Sequence, residues 1–296
     1  MPEKRTYIMQ KTLKIGNAIG TVDTYGGELI SYIHNGKEIL WYGDPEHWSG
    51  HAPILFPFVS ALKNNTVNFF GKERTFSGKH GFARKSEFEL YEITDTKAVF
   101  KLCQNISTLA FFPYNFDLLV THEITEEGFT TEYKVVNTDT SNMVFCIGGH
   151  PGFFLDGSLE DYKIKFEKPE SSSLTYTDAN SLSDPSYLCD FKFEGTEYLP
   201  KYSDFDRDAF LAENLNSKKI KLVRKDNGHG VEFDFTGFPV LAVWTPPKKN
   251  SPFICLEPWH GMPAYVNETG NFEDKPYVIT LEPEKSFTVG YSVKVI

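Results

Sequence analysis

The chain has 296 residues, 40% of them hydrophobic and 24% charged, which is ordinary globular usage that argues against disorder and supplies a core without staples. Forty acidic against 30 basic side chains give a formal net charge of -10, a field that repels phosphate backbones and anionic lipid and makes nucleic acid a poor partner. The start, MPEKRTYIMQKTLKIG, lacks an apolar run of signal-peptide length, and no segment approaches the ~18 apolar residues of a membrane span, so a cytoplasmic protein with no membrane partner is expected.

In chain order, TLKIG, IGTVDTYG, ELISYIHN and KEILWY read as short strands closed by turn residues. EFELYEIT, KAVFKLCQ, FDLLVTHEITE, FTTEYKVVN and MVFCIGG continue the alternation, with EEG and NTDTSN as punctuation. From Glu167 to Asp208, Ser, Asp, Pro and Tyr accumulate, and long loops packed over the strands are the expectation there, in preference to a domain linker. KKIKLVRK, HGVEFDF, VLAVWT, YVITL and SFTVGYSVKVI then restore the pattern. Many strands without βαβ alternation predict an all-β chain, two large and mainly antiparallel packed sheets forming one domain over residues 1–296. Cys103, Cys146, Cys189 and Cys255 form no CxxC pair and are expected to be reduced, mostly buried thiols. Three matches to the glycosylation pattern, at Asn64, Asn105 and Asn267, are read as chance without a signal peptide.

Three separate clusters join ionisable side chains to glycine, proline or tryptophan. Lys79-His80-Gly81-Phe82-Ala83-Arg84 is either a solvated turn or a turn presenting His80 and Arg84 as donors. Gly148-Gly149-His150-Pro151-Gly152 follows an apolar strand, and its glycines suit a shaped loop displaying His150. In Phe253-Ile254-Cys255-Leu256-Glu257-Pro258-Trp259, the expectation is that Glu257 leaves the sheet where proline breaks the strand. Trp259 is then either a flat face for a sugar ring or a core residue.

Together, APILFPFVSALKNNTV, KHGFAR, GGHPGF and ICLEPWHGMPA resemble, in order and spacing, the aldose 1-epimerase (galactose mutarotase-like) family, in its divergent bacterial branch. The resemblance implies a β-supersandwich with a sugar site on a concave face, His80 and His150 as the active-site histidines and Glu257 as the catalytic carboxylate. It also implies a sugar-binding aspartate between His150 and Glu257, matched here by Asp208 with Asp204 and Asp206 as rivals. Two departures bear on sugar identity: Val59-Ser60-Ala61-Leu62-Lys63 stands where many relatives carry arginine, and Gly81-Phe82 where strict galactose enzymes have a second glycine.

Interconverting anomers requires a base for the C1 hydroxyl proton and an acid for the ring oxygen. Glu257, ionised at a reference pKa of about 4.3, suits the first role, and His150, raised by a neighbouring carboxylate from about 6.5, suits the second. His80 is a hydrogen-bond partner of the sugar and Arg84 a supporting donor. No cofactor is needed, and the absence of HxH or HxxxH spacing argues against metal. The expected partner is a small aldose, with the chain a monomer or homodimer. Two rival readings are a hexose-6-phosphate mutarotase, with Lys63, Lys79 and Arg84 as its basic patch, and a non-catalytic carbohydrate-binding protein.

Overall fold

A computed structural model describes residues 9–296. Every strand segment read from the sequence is present, and the strands pair antiparallel throughout. One hydrogen-bonded sheet of 15 strands runs from Ile54–Leu55 through Ile147–Gly149, Phe253–His260, Val240–Trp244 and Phe210–Glu213 to Tyr162–Thr177. It continues through Lys219–Arg224, Gly230–Asp234, Ser286–Val295, Gly128–Asn137, Phe116–Ile124 and Lys97–Cys103 to Glu89–Ile93, with Gly152–Phe154 and Ser183–Tyr198 paired off this path. A four-stranded sheet, Gln10–Ile15 to Lys37–Glu38, packs on the strand Phe116–Ile124.

The two layers are thus made largely by one sheet folding back on itself. Phe56 near its first edge meets Phe116 near its last, with ring centroids 5.3 Å apart, and Phe153 meets Phe233 at 5.7 Å. The cause is period-2 burial: in Phe116–Ile124 the residues Phe116, Leu118, Val120, His122 and Ile124 are buried, while those between them are less so. No described helix is long and apolar enough to cross a membrane.

The stretch expected to be loops is instead mostly a long hairpin, Tyr162–Thr177 against Ser183–Tyr198. Its Ser-rich sequence still alternates: Leu174 and Tyr176 are buried while Ser171 and Ser173 are exposed. Pro169 falls in a register shift between Lys165 and Glu170, and Pro185 sits on a strand off the main path, places where a missing N–H is tolerated. A short helix, Ile106–Phe111, also went unread; its N-cap is Asn105, whose side chain accepts from Thr108 N–H at 3.0 Å. All four cysteines are free, but only Cys146 and Cys255 are buried, Cys103 and Cys189 being half-exposed.

His122 ties the two sheets together, its ring nitrogens 3.0 Å from Thr131 Oγ1 and 2.9 Å from the Gly27 carbonyl oxygen. Burial pushes its pKa down to about 4. Below pH ~6.5 the unfolded chain gains a proton that the folded ring accepts only near pH 4, so stability is lost across that window, by on the order of 3 kcal/mol for this group. His122→Gln should flatten the fall of the urea midpoint between pH 6.5 and 4; an unchanged slope would show that His122 is not the group responsible.

Candidate active site

Sheet register brings the two most distant clusters together. Gly148 pairs with Trp259 and Gly152 with Cys255, so the intervening His150 lies opposite Glu257. Glu257 does not leave the sheet, contrary to the sequence expectation. The strand runs on through Pro258 to His260, because the chain opposite is interrupted at His150-Pro151 and makes no continuous ladder there. On its other side Glu257 faces Ala242, whose small side chain leaves room for the carboxyl. The result is a direct contact, His150 Nε2 to Glu257 Oε1 at 3.3 Å.

His80 arrives from a tightly folded turn. Its backbone N–H donates to the Ser60 carbonyl at 2.8 Å while Ser60 N–H donates to His80 Nδ1 at 3.0 Å, which leaves the ring hydrogen on Nε2. Gly81 is obligatory here: φ is +68°, and a Cβ would stand 2.1 Å from the Phe56 carbonyl oxygen. The His80 and His150 rings then lie edge to face, 5.5 Å between centroids.

These groups line a cavity of about 320 Å³ together with Lys79, Arg84, Asp208, Trp48 and Trp244. A larger cavity of about 650 Å³, bounded by Phe153, Arg224 and Ile296, holds none of the candidate residues. Asp208 is the aspartate at the site: it accepts from Trp244 Nε1 at 2.7 Å and lies 3.6 Å from Lys79 Nζ. Of its rivals, Asp204 is occupied by the Tyr198 hydroxyl at 2.6 Å, and neither Asp204 nor Asp206 lines the cavity. Lys63 does not line it either, since it starts the turn leading into the hairpin Thr66–Phe69 and Lys72–Thr75. Trp259 borders the cavity but is only 2% exposed, packed among Leu55, Val59 and Met262, so it has little open face to offer a ring.

Trp48 and Trp244 escaped the sequence reading. Trp48 stacks on the His150 ring at 4.8 Å and Trp244 meets its edge at 5.5 Å, so the two indoles fix the imidazole plane. Neither sits in a motif, and the only signal was two further tryptophans among four.

The protonation states also differ from the sequence expectation. Burial raises the Glu257 carboxyl well above its usual range, assisted by Asp208 and opposed by Arg84 and Lys79. Burial pushes His150 well below the usual histidine range, with Arg84 acting in the same direction. His80 is lowered likewise, first by burial and then by His150, Arg84 and Lys79. A buried pair in contact that resists both charges holds a single proton between its members. Glu257 Oε2 and His150 Nδ1 have no hydrogen-bond partner among the described residues. The Trp259 indole N–H is close enough to favour the Glu257 anion, yet lies outside hydrogen-bonding geometry.

One set of potential metal ligands converges here: His150, Cys255 and Glu257 place their ligand atoms within 4.8 Å of one another. Local spacing rules do not register it, because His150 comes from a different strand region from the other two.

Comparison with known proteins identifies the family and the fold. The family model described as Aldose 1-epimerase matches residues 11–294. The plasmid-borne protein LacX of Lactococcus lactis subsp. lactis is 34% identical over 298 residues, covering 96% of this chain and 99% of that protein. Among solved structures, a galactose mutarotase related enzyme from Lactobacillus acidophilus superposes with a TM-score of 0.90 at 27% identity, covering 97% of both chains. A galactose mutarotase-like protein from Lactobacillus casei gives 0.87 at 27% identity, covering 97% of this chain and 100% of that one. A match over nearly the whole chain, with the two histidines and the glutamate converging in one cavity, places this chain in the aldose 1-epimerase family.

Proposed function

We propose that the protein is a mutarotase that opens and recloses the ring of an aldose, working as one domain. The buried contact between His150 and Glu257 at the cavity floor carries this reading. With the proton on His150, Glu257 Oε2 takes the proton of the C1 hydroxyl while the imidazolium gives its proton to the ring oxygen. The C1–O5 bond breaks, C1 becomes a carbonyl, and rotation about C1–C2 presents its other face. The pair is left as neutral acid and neutral imidazole, the arrangement that burial favours, and the reverse transfers close the ring. Lys79 and Arg84 oppose the burial penalty on Glu257 and so keep its anion within reach. His80, with its hydrogen on Nε2, and Asp208, held by Trp244, are placed to engage sugar hydroxyls. A carbohydrate-binding module has no use for a proton shared between a buried acid and base.

A second reading has one observation behind it. Arg84 makes no salt bridge among the described residues, and Lys79 and Lys85 border the same cavity, so an anionic group on the sugar would find partners there. Lys79 is already paired with Asp208 and the net charge is -10, which favours the uncharged sugar. The free aldose should accordingly show the higher kcat/KM in polarimetric comparison with its 6-phosphate; a large preference for the phosphate reverses the assignment.

Glu257→Gln and His150→Asn should each lower kcat by about 10²-fold or more, and the double variant should be little worse than either single one, as for two halves of one device. Mutarotation by Glu257→Gln at the wild-type rate would eliminate Glu257 as the base. The pH profile follows from the same directions. A second proton is resisted by burial, so the acid limb of kcat should lie below about pH 6.5, and loss of the shared proton should place the alkaline limb well above the carboxyl's usual ~4.3. An acid limb above 6.5 would contradict a His150 depressed by burial.

A further inference from the structure

We infer that His150, Glu257 and Cys255 form a binding site for a thiophilic divalent cation of the zinc type, and that its occupation shuts the acid–base pair down. Binding stands independently of the mutarotase reading, whereas the inhibition rests on it.

The placement follows from strand geometry. Cys255 and Glu257 are two residues apart on the strand Phe253–His260 and therefore project from the same face of the sheet. Cys255 pairs with Gly152 on one side, and a glycine contributes no side chain to separate the thiol from His150 two residues away. All three ligand atoms lie within 4.8 Å of one another. The His150 Nε2 to Glu257 Oε1 separation of 3.3 Å already matches the edge of a tetrahedron whose nitrogen and oxygen ligands stand about 2.0–2.1 Å from zinc, an edge of about 3.3 Å. Closing the remaining distance to the thiol completes a three-ligand set of His, Cys and Glu, of which His150 and Glu257 line the cavity.

Charge and protonation fit as well. A divalent ion with one thiolate and one carboxylate is neutral overall, the arrangement a buried site tolerates best. The third ligand, the His150 imidazole, adds no charge when it binds a metal. The ion would replace the proton that Nε2 and Oε1 share, while His150 Nδ1 and Glu257 Oε2, without a partner in the described protein, lose no hydrogen bond. Magnesium and calcium, which prefer all-oxygen shells, are not matched by this set. A bound ion takes the Nε2 lone pair and the carboxylate that proton transfer needs.

The test uses the full chain, treated with a chelator and then titrated with zinc, magnesium or cobalt(II). Chelated protein should keep its activity, zinc should abolish it at about one equivalent, and magnesium should have no effect. Cys255→Ala, with Cys255→Ser as a second variant should the first fold poorly, should retain basal activity and need at least about tenfold more zinc for the same inhibition. Cobalt(II) should give a thiolate-to-metal charge-transfer band in the wild type that is missing from either variant, a readout independent of mutarotation. Equal zinc sensitivity of wild type and variant overturns the proposal, as does cobalt binding without the thiolate band. Should the chain prove inactive on every aldose while the cobalt band appears, the metal site stands and the mutarotase reading falls.

Discussion

The site depends on one cross-strand pair, Glu257 against His150, buried at the cavity wall at the point where the sheet is interrupted. Taking an ionisable acid and base out of solvent is costly unless they neutralise each other, and a single shared proton accomplishes that. Much of the surrounding structure preserves this balance. Ala242 and Gly152 leave space, Trp48 and Trp244 hold the imidazole between them, and Arg84 and Lys79 offset the penalty on the carboxylate. A buried pair without these neighbours would settle into neutrality and stay there.

Four of the thirteen described non-glycine residues with left-handed φ line the cavity: Ser60, His80, Ser181 and Asp208, at +54°, +69°, +60° and +86°. Such conformations persist only where the surroundings overdetermine them. The reciprocal bonds between Ser60 and His80 do so for two of these residues, and the Trp244 indole together with Lys79 does so for Asp208. The folded sheet contributes the rigidity, and the strained turns contribute the direction in which the polar atoms point.

Strands with period-2 burial were legible because each carries its own signal, and His80, His150 and Glu257 because glycine and proline mark their turns. What stayed hidden was set by pairing between distant segments. Glu257 followed by proline reads locally as a strand end, and only the register with residues 148–152 shows it to be a buried strand residue. The Ser-rich hairpin read as loop because its strands bury a single face, so Leu174 and Tyr176 are too sparse to dominate the composition. Trp48 and Trp244 lie outside the three clusters and gain meaning only through contact with His150, and Cys255, inside the third cluster, reads locally as a core thiol until the fold brings it near His150. Protonation was the least legible property, since reference pKa values assume full solvation and both groups are buried.

Ala61 is buried against Leu182 and Ala264 in a small apolar cluster, where a cation would lose its solvent. Basic side chains reach the cavity from the turn Lys79 to Lys85 instead, through Lys79, Arg84 and Lys85. On the proposed mechanism, acid–base chemistry belongs to a buried strand pair and contacts to the sugar to the turn that carries His80 and Arg84. That turn is itself constrained, because Gly81 stands against the Phe56 carbonyl and His80 is buried, so both parts of the site tolerate little change.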